Sequence, residues 1–175
     1  MTTTGTAAAP RAGRPRPALA QVVPWLGTLG RLVLGAVFVA AGASKVTDLA
    51  NSVRSVRAYR LLPEWAAPAV GAGLPFFEIA LGVLLIVGLG VRVGAVVGAA
   101  LLVIFIAGIA SAAARGLRID CGCFGNGGDL RAGQQTQYLG ELARDAGLLV
   151  VAALVAWRPR GRVSIDNWIH GEGTA

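Results

Sequence analysis

The densest chemical signal in this 175-residue chain is the run Asp120-Cys121-Gly122-Cys123-Phe124-Gly125-Asn126-Gly127-Gly128, which holds both of its cysteines. Two residues span no more than about 7 Å between Cα atoms, and a disulfide wants roughly 4.4 to 6.8 Å. Cys121 and Cys123 can therefore pair, in a small strained ring, and Gly122 removes the Cβ that would obstruct closure. Strained, exposed disulfides are the more oxidising ones, and they tend to be labile or catalytic. Thiol–disulfide exchange through Cys121 and Cys123 is thus the leading chemistry. Plainer readings stay open. Zinc or an iron–sulfur cluster needs about four ligands, and the sole histidine, His170, lies near the far end, so no metal is expected. A purely structural bond would close too short a loop to stabilise much, and two unrelated reduced thiols remain an option.

Charges inside apolar sequence are the second signal. Glu78 lies about 12 residues from the end of its apolar block, roughly 18 Å deep by helical rise. A carboxylate there must face protein and be paired or protonated. Matched depth in antiparallel helices makes Arg31 or Arg144 the expected partner. A register-fixing pair and a proton relay both fit that placement. Glu141, Arg144 and Asp145 gather at the mouth of the last apolar block, on the side of the cysteine loop. Arg144, or Arg118 in the loop, would favour a thiolate, and a carboxylate such as Asp145 would shuttle its proton. An interfacial ion pair is the plain alternative.

These groups need elements to hold them. The chain is 55% hydrophobic and 14% charged, with a mean hydropathy of +0.65. Soluble domains carry about 25% charge, and disorder needs low hydrophobicity. Both are excluded, and lipid is the relevant solvent. The net charge of +7 would suggest nucleic acid in a soluble protein. Here the basic residues lie mostly between or outside the apolar blocks, where they meet lipid headgroups and set topology. No nucleic-acid partner is expected.

Four apolar blocks run over 25–44, 66–89, 93–114 and 138–157. At about 1.5 Å per residue each is long enough for a bilayer core of about 30 Å, and runs without alternation exclude a barrel. The expected fold is all-α: a four-transmembrane-helix bundle over 23–157. A flexible basic tail, 1–22, carries Arg11, Arg14 and Arg16, and a second tail covers 158–175. Trp25 and Trp157 should mark one interface and Trp65 the other. Gly90, Gly94 and Gly98 offer a small-residue stripe for helix contact. The stretches 45–64 and 115–137 read as polar connections. Ala41-Gly42-Ala43 also has the look of a signal-peptide cleavage site. Basic residues divide evenly between the two sides, and the acid-free first tail places the termini in the cytoplasm and the cysteine loop outside.

Several pieces, in order, resemble the MauE family of methylamine-utilisation membrane proteins, within the DoxX-like superfamily of four-helix membrane proteins. They are Gly42-Ala43-Ser44-Lys45, Tyr59-Arg60-Leu61-Leu62-Pro63, Leu74-Pro75, Glu78-Ile79-Ala80-Leu81-Gly82, Arg115-Gly116, Cys121-Gly122-Cys123-Phe124-Gly125 and Arg144-Asp145. The resemblance covers about 28–157, with the C-G-C-F-G run the most specific piece. It implies a bacterial plasma-membrane protein for redox maturation of exported, disulfide-containing proteins. In methylamine users the client is the small subunit of methylamine dehydrogenase, served alongside a thioredoxin-like partner. An extracytoplasmic thioredoxin-fold protein is the expected partner here, and a quinone is the cofactor class the redox reading allows. A non-catalytic assembly factor and a small transporter or oxidase subunit built around Glu78 are the alternatives from other classes.

Overall fold

A computed structural model describes residues 18–122, 127–130 and 136–157. Most of both tails, Cys123 and Arg131 lie outside the described residues. The elements are α1 (Ala18–Val46), α2 (Leu49–Ala58), α3 (Ala67–Val87), α4 (Val91–Ala114), β1 (Ile119–Asp120), β2 (Gly128–Asp129) and α5 (Tyr138–Trp157). Among the described residues, three helical segments are long and apolar enough to cross a membrane: Trp25–Val46, Ala67–Val87 and Val91–Ala114. Helix α5 has the length, but Glu141, Arg144 and Asp145 in its first turns set it apart from those three.

The bundle buries its intramembrane polar groups and turns large apolar side chains outward, as lipid demands. Leu26, Leu29, Phe76, Phe77, Val93 and Ile104 are exposed, while Thr28, Arg31, Lys45, Glu78 and Asp145 are buried. A core of Leu34, Phe38, Leu81, Leu85, Leu102 and Val155 joins α1, α3, α4 and α5. Gly30, near the start of α1, faces Val151 and Val155 near the end of α5. Those two ends therefore share one end of the bundle, and the exposed Trp25 and Trp157 mark it. The exposed Trp65 precedes α3 on the opposite end.

Helices α1 and α3 make the closest approach. A Cβ on Gly42 would lie 2.5 Å from the Pro75 carbonyl oxygen, and one on Gly82 would lie 2.6 Å from that of Gly35. Small residues let the two backbones touch, which is the usual basis of helix association in lipid. This seam, rather than the stripe on α4, holds the backbones together. Gly94 and Gly98 face the side chains of Leu85 and Phe38, and an added Cβ at Gly90 meets nothing. Ala41 and Gly42 are buried against α3, so the segment with the cleavage-site pattern packs as bundle helix.

The stretch after Lys45, expected as a connection, forms the amphipathic α2. Asp48 caps it by accepting from the Asn51 N–H at 2.9 Å, which satisfies one of the orphan donors of the first turn. Its buried face is Ser52, Ser55 and Ala58, a helical spacing of three. The docking of α2 follows from Pro75 inside α3. Proline has no N–H, so the carbonyl four residues earlier, on Gly71, loses its helical donor. Ser52 Oγ supplies one at 2.6 Å, and Gly71 leaves room for the α2 backbone, whose Val53 Cα would sit 2.6 Å from a Cβ there.

Candidate functional site

The docked α2 positions the cysteine loop. One turn beyond Ser52, Ser55 lies against the loop backbone: a Cβ on Gly122 would come within 2.9 Å of both its Cβ and its Oγ. Gly122 also has φ +69°, a conformation that glycine adopts freely. Its N–H donates to Asp120 Oδ1 at 3.1 Å, and Tyr59 Oη donates to the Cys121 carbonyl at 3.2 Å. The loop springs from the antiparallel pair β1–β2, with Ile119 opposite Asp129 and Asp120 opposite Gly128. Beneath it, Ile119 packs with Ala58 and Ala112 in a small second core. Tyr138, at the start of α5, donates to the Leu117 carbonyl at 2.5 Å and accepts from the Ile119 N–H at 3.3 Å. Within the stretch expected as a polar connection, Ile119–Asp120 and Gly128–Asp129 therefore pair as a short hairpin tied to α2, α4 and α5.

Cys121 is partly buried. Its sulfur and one carboxylate oxygen each from Asp120 and Glu141 all lie within 4.8 Å of one another. A carboxylate at that range can take or return the thiol proton through one bridging water, and the same three donors are the described residues that could hold a divalent ion. Glu141 Oε2 is buried and has no hydrogen-bond partner among the described residues. Glu141 was expected among the charges at the helix mouth on the side of the cysteine loop, and the fold brings its carboxylate near the thiol. Cys123, the second member of the expected pair, lies outside the described residues. Arg118 is exposed beside β1, and its carbonyl accepts from the Leu130 N–H at 2.9 Å.

Cys121 and Gly122 form part of the wall of a pocket of about 240 Å³, whose other walls come from α1, α2, α3 and α4. Lys45 lies on its inner side. Here the structure corrects an expectation. Glu78 is fully buried in the bundle, but its partner is Lys45, neither Arg31 nor Arg144. Lys45 Nζ donates to both carboxylate oxygens at 2.9 Å and stands 5.7 Å from the centre of the Phe105 ring. A lysine stem is long and flexible, so a residue in the last turn of α1 reaches a carboxylate well inside α3.

Arg144 bonds its own neighbour, with Nε 3.0 Å and a terminal guanidinium nitrogen 2.9 Å from Asp145 Oδ1. Asp145 is buried, and its Oδ2 has no hydrogen-bond partner among the described residues. A small cavity of about 20 Å³ is lined by Arg144, Asp145 and Glu78, with Phe38 and Phe105 also on its walls. Glu78 and the Arg144–Asp145 pair thus border one gap, large enough for a single water.

The family model for methylamine utilisation protein MauE matches residues 23–158. The MauE of Paracoccus denitrificans is 42% identical over 98 residues, covering 55% of this chain and 53% of that protein. The MauE of Methylorubrum extorquens is 33% identical over 135 residues, with 77% and 70% covered, and that of Paracoccus versutus 35% over 136, with 77% and 73%. The match to the P. denitrificans protein therefore spans about half of that relative's length. No solved structure matches the chain. The matched segment takes in the glycine seam, the buried Lys45–Glu78 pair and the cysteine hairpin together, and the chain belongs to the MauE family.

Proposed function

We propose that this chain is a methylamine-utilisation accessory membrane protein that works by thiol–disulfide exchange. Cys121 and Cys123 trade a disulfide for two thiols with an extracytoplasmic thioredoxin-fold partner. That partner serves an exported client with disulfides, the small subunit of methylamine dehydrogenase where methylamine is used. In each exchange a thiolate attacks a disulfide sulfur, a mixed disulfide forms, and the second thiol of the attacking pair releases it. Two electrons and two protons pass between the pairs. The observation that carries this reading is the setting of Cys121. Its carbonyl is held by Tyr59, the adjoining Gly122 packs beside Ser55, its sulfur lies near two carboxylates, and it borders a pocket.

The same reading makes α5 the fourth membrane span of a DoxX-like bundle in the bacterial plasma membrane. The termini are cytoplasmic and the hairpin outside, where a disulfide persists. The 20 residues of α5 and its packing against α4 and α1 support the span. The test is partner trapping in intact membranes. Either Cys121→Ser or Cys123→Ser should hold a mixed disulfide with the partner, because the resolving thiol is gone, and should abolish client maturation as fully as the double variant. Maturation that survives in the double variant would leave the loop a docking element only.

A further inference from the structure

The pocket beside Cys121 has a composition that specifies a ligand. It lies where α2, the start of α3, the end of α4 and the hairpin converge, and its wall is mostly apolar, with Val56, Leu74 and Phe105 among its residues. Three of the polar side chains that line it already donate to backbone carbonyls: Ser52 Oγ to Gly71, Ser55 Oγ to Asn51 and Tyr59 Oη to Cys121. Lys45 is different. An ammonium has three N–H donors, and two of them go to Glu78, which leaves one for an acceptor in the pocket. Glu78 already balances the lysine charge, so the site suits a neutral acceptor such as a carbonyl rather than an anionic headgroup. Pockets for drug-sized ligands run about 300–1,000 Å³, so about 240 Å³ fits a single substituted ring. Leu61, Val70 and Ile104 line the pocket and are themselves exposed, which gives an apolar tail a way out along the surface of the bundle.

We infer that this pocket binds a quinone, with one ring carbonyl accepting from Lys45 Nζ and the ring lying along the wall that includes Cys121. The inference rests on the redox reading and supplies its electron acceptor. A strained C-x-C disulfide is oxidising, so once it has oxidised its thioredoxin-fold partner, the resulting thiols must be oxidised again. Closing the bond between Cys121 and Cys123 releases two electrons and two protons. The quinone takes both and becomes the hydroquinone.

The test uses the full chain in quinone-free phospholipid nanodiscs, a photoreactive azido-ubiquinone with a short tail, and decyl-ubiquinone as competitor. Labelling should fall on the peptides around Val56–Leu62 and Ile104–Gly108, and the competitor should remove it. Gly108 suits a blocking substitution, because a Cβ there would stand at ordinary contact distance, 3.5 Å, from the Tyr59 ring. Gly108→Leu, and Ile104→Trp as a second variant, should weaken competition by roughly tenfold or more while keeping the elution profile and helical spectrum of the wild type. Labelling spread over all lipid-facing helices, labelling that decyl-ubiquinone does not remove, or unchanged competition in a folded blocking variant would each overturn the site. Exchange with glutathione disulfide is measured separately on the wild-type chain. Quinone binding without exchange would keep the site and reject the redox reading, whereas exchange without binding would reject the site alone.

Discussion

The seam between α1 and α3 and the cap made by α2 and the hairpin use the same device, glycine under close contact, for opposite ends. Along the seam, a new Cβ would meet a backbone oxygen of the opposing helix first, at Pro75, Gly82 or Gly35, with the side chains of Ile79, Ile86 and Val39 pressed in beside it. Backbone cannot move aside, so the seam fixes the register of the two helices. At the cap the nearest obstacle is the side chain of Ser55, and the space beside it stays open as the pocket. One region is built to be immobile, and the other holds a reactive sulfur next to room for a second molecule. Ser52 and Lys45 join the two: the first anchors α2 on the carbonyl that Pro75 frees, and the second links the pocket wall to Glu78 in the seam helix.

If the seam is backbone on backbone, enlarging it should be the most damaging change in the molecule. Gly82→Val would press side-chain atoms toward the Gly35 carbonyl oxygen, already 2.6 Å from a single added Cβ. Folded, monodisperse protein should fall to a small fraction of wild type in detergent, read by size-exclusion elution. Recovery of near-normal yield would show that the helices can separate cheaply and would remove the contrast with the cap.

Next in size is the buried pair. Glu78→Gln leaves the Lys45 ammonium inside the bundle with a neutral partner, and breaking a buried pair costs about 3–5 kcal/mol. Thermal stability of the purified protein should drop accordingly. The double variant Lys45→Met/Glu78→Leu replaces the pair with apolar atoms and should recover most of the loss. A single variant as stable as wild type would show that the pair does not hold α1 to α3.

The smallest effect belongs to the link between the regions. Ser52→Ala strips the donor from the Gly71 carbonyl, a loss of about 1–3 kcal/mol for a buried acceptor left without a partner. The seam should survive while α2 loosens, so Cys121 should be alkylated faster at unchanged helix content. Equal alkylation rates in the two proteins would mean that α2 does not hold the cysteine loop.

Legibility in the sequence followed the strength of the solvent constraint. Lipid imposes long apolar runs, and the blocks at 66–89, 93–114 and 138–157 became α3, α4 and α5 with ends displaced by no more than two residues. Helix α2 was invisible to hydropathy because its buried face is Ser52, Ser55 and Ala58, small rather than apolar. Asp48 as a cap and the spacing of three were signals that would have found it. Glu78 was recognisable as inward-facing because lipid permits nothing else, but its partner was not. Matched depth favoured arginines, whereas the flexible Lys45 reaches in from the end of its helix. The approach of Glu141 to Cys121 depends on how the hairpin folds back on α5, which residue order alone does not encode.

The central claim is that the cysteine loop is a redox unit, and the redox state of its thiols in intact membranes tests it most directly. A maleimide that adds mass at each free thiol should reveal two populations in wild type, one carrying two labels and one carrying none. The unlabelled population should appear only without prior reduction, and its share should shift when client maturation is induced. Two labels on every molecule under all growth conditions would contradict the account.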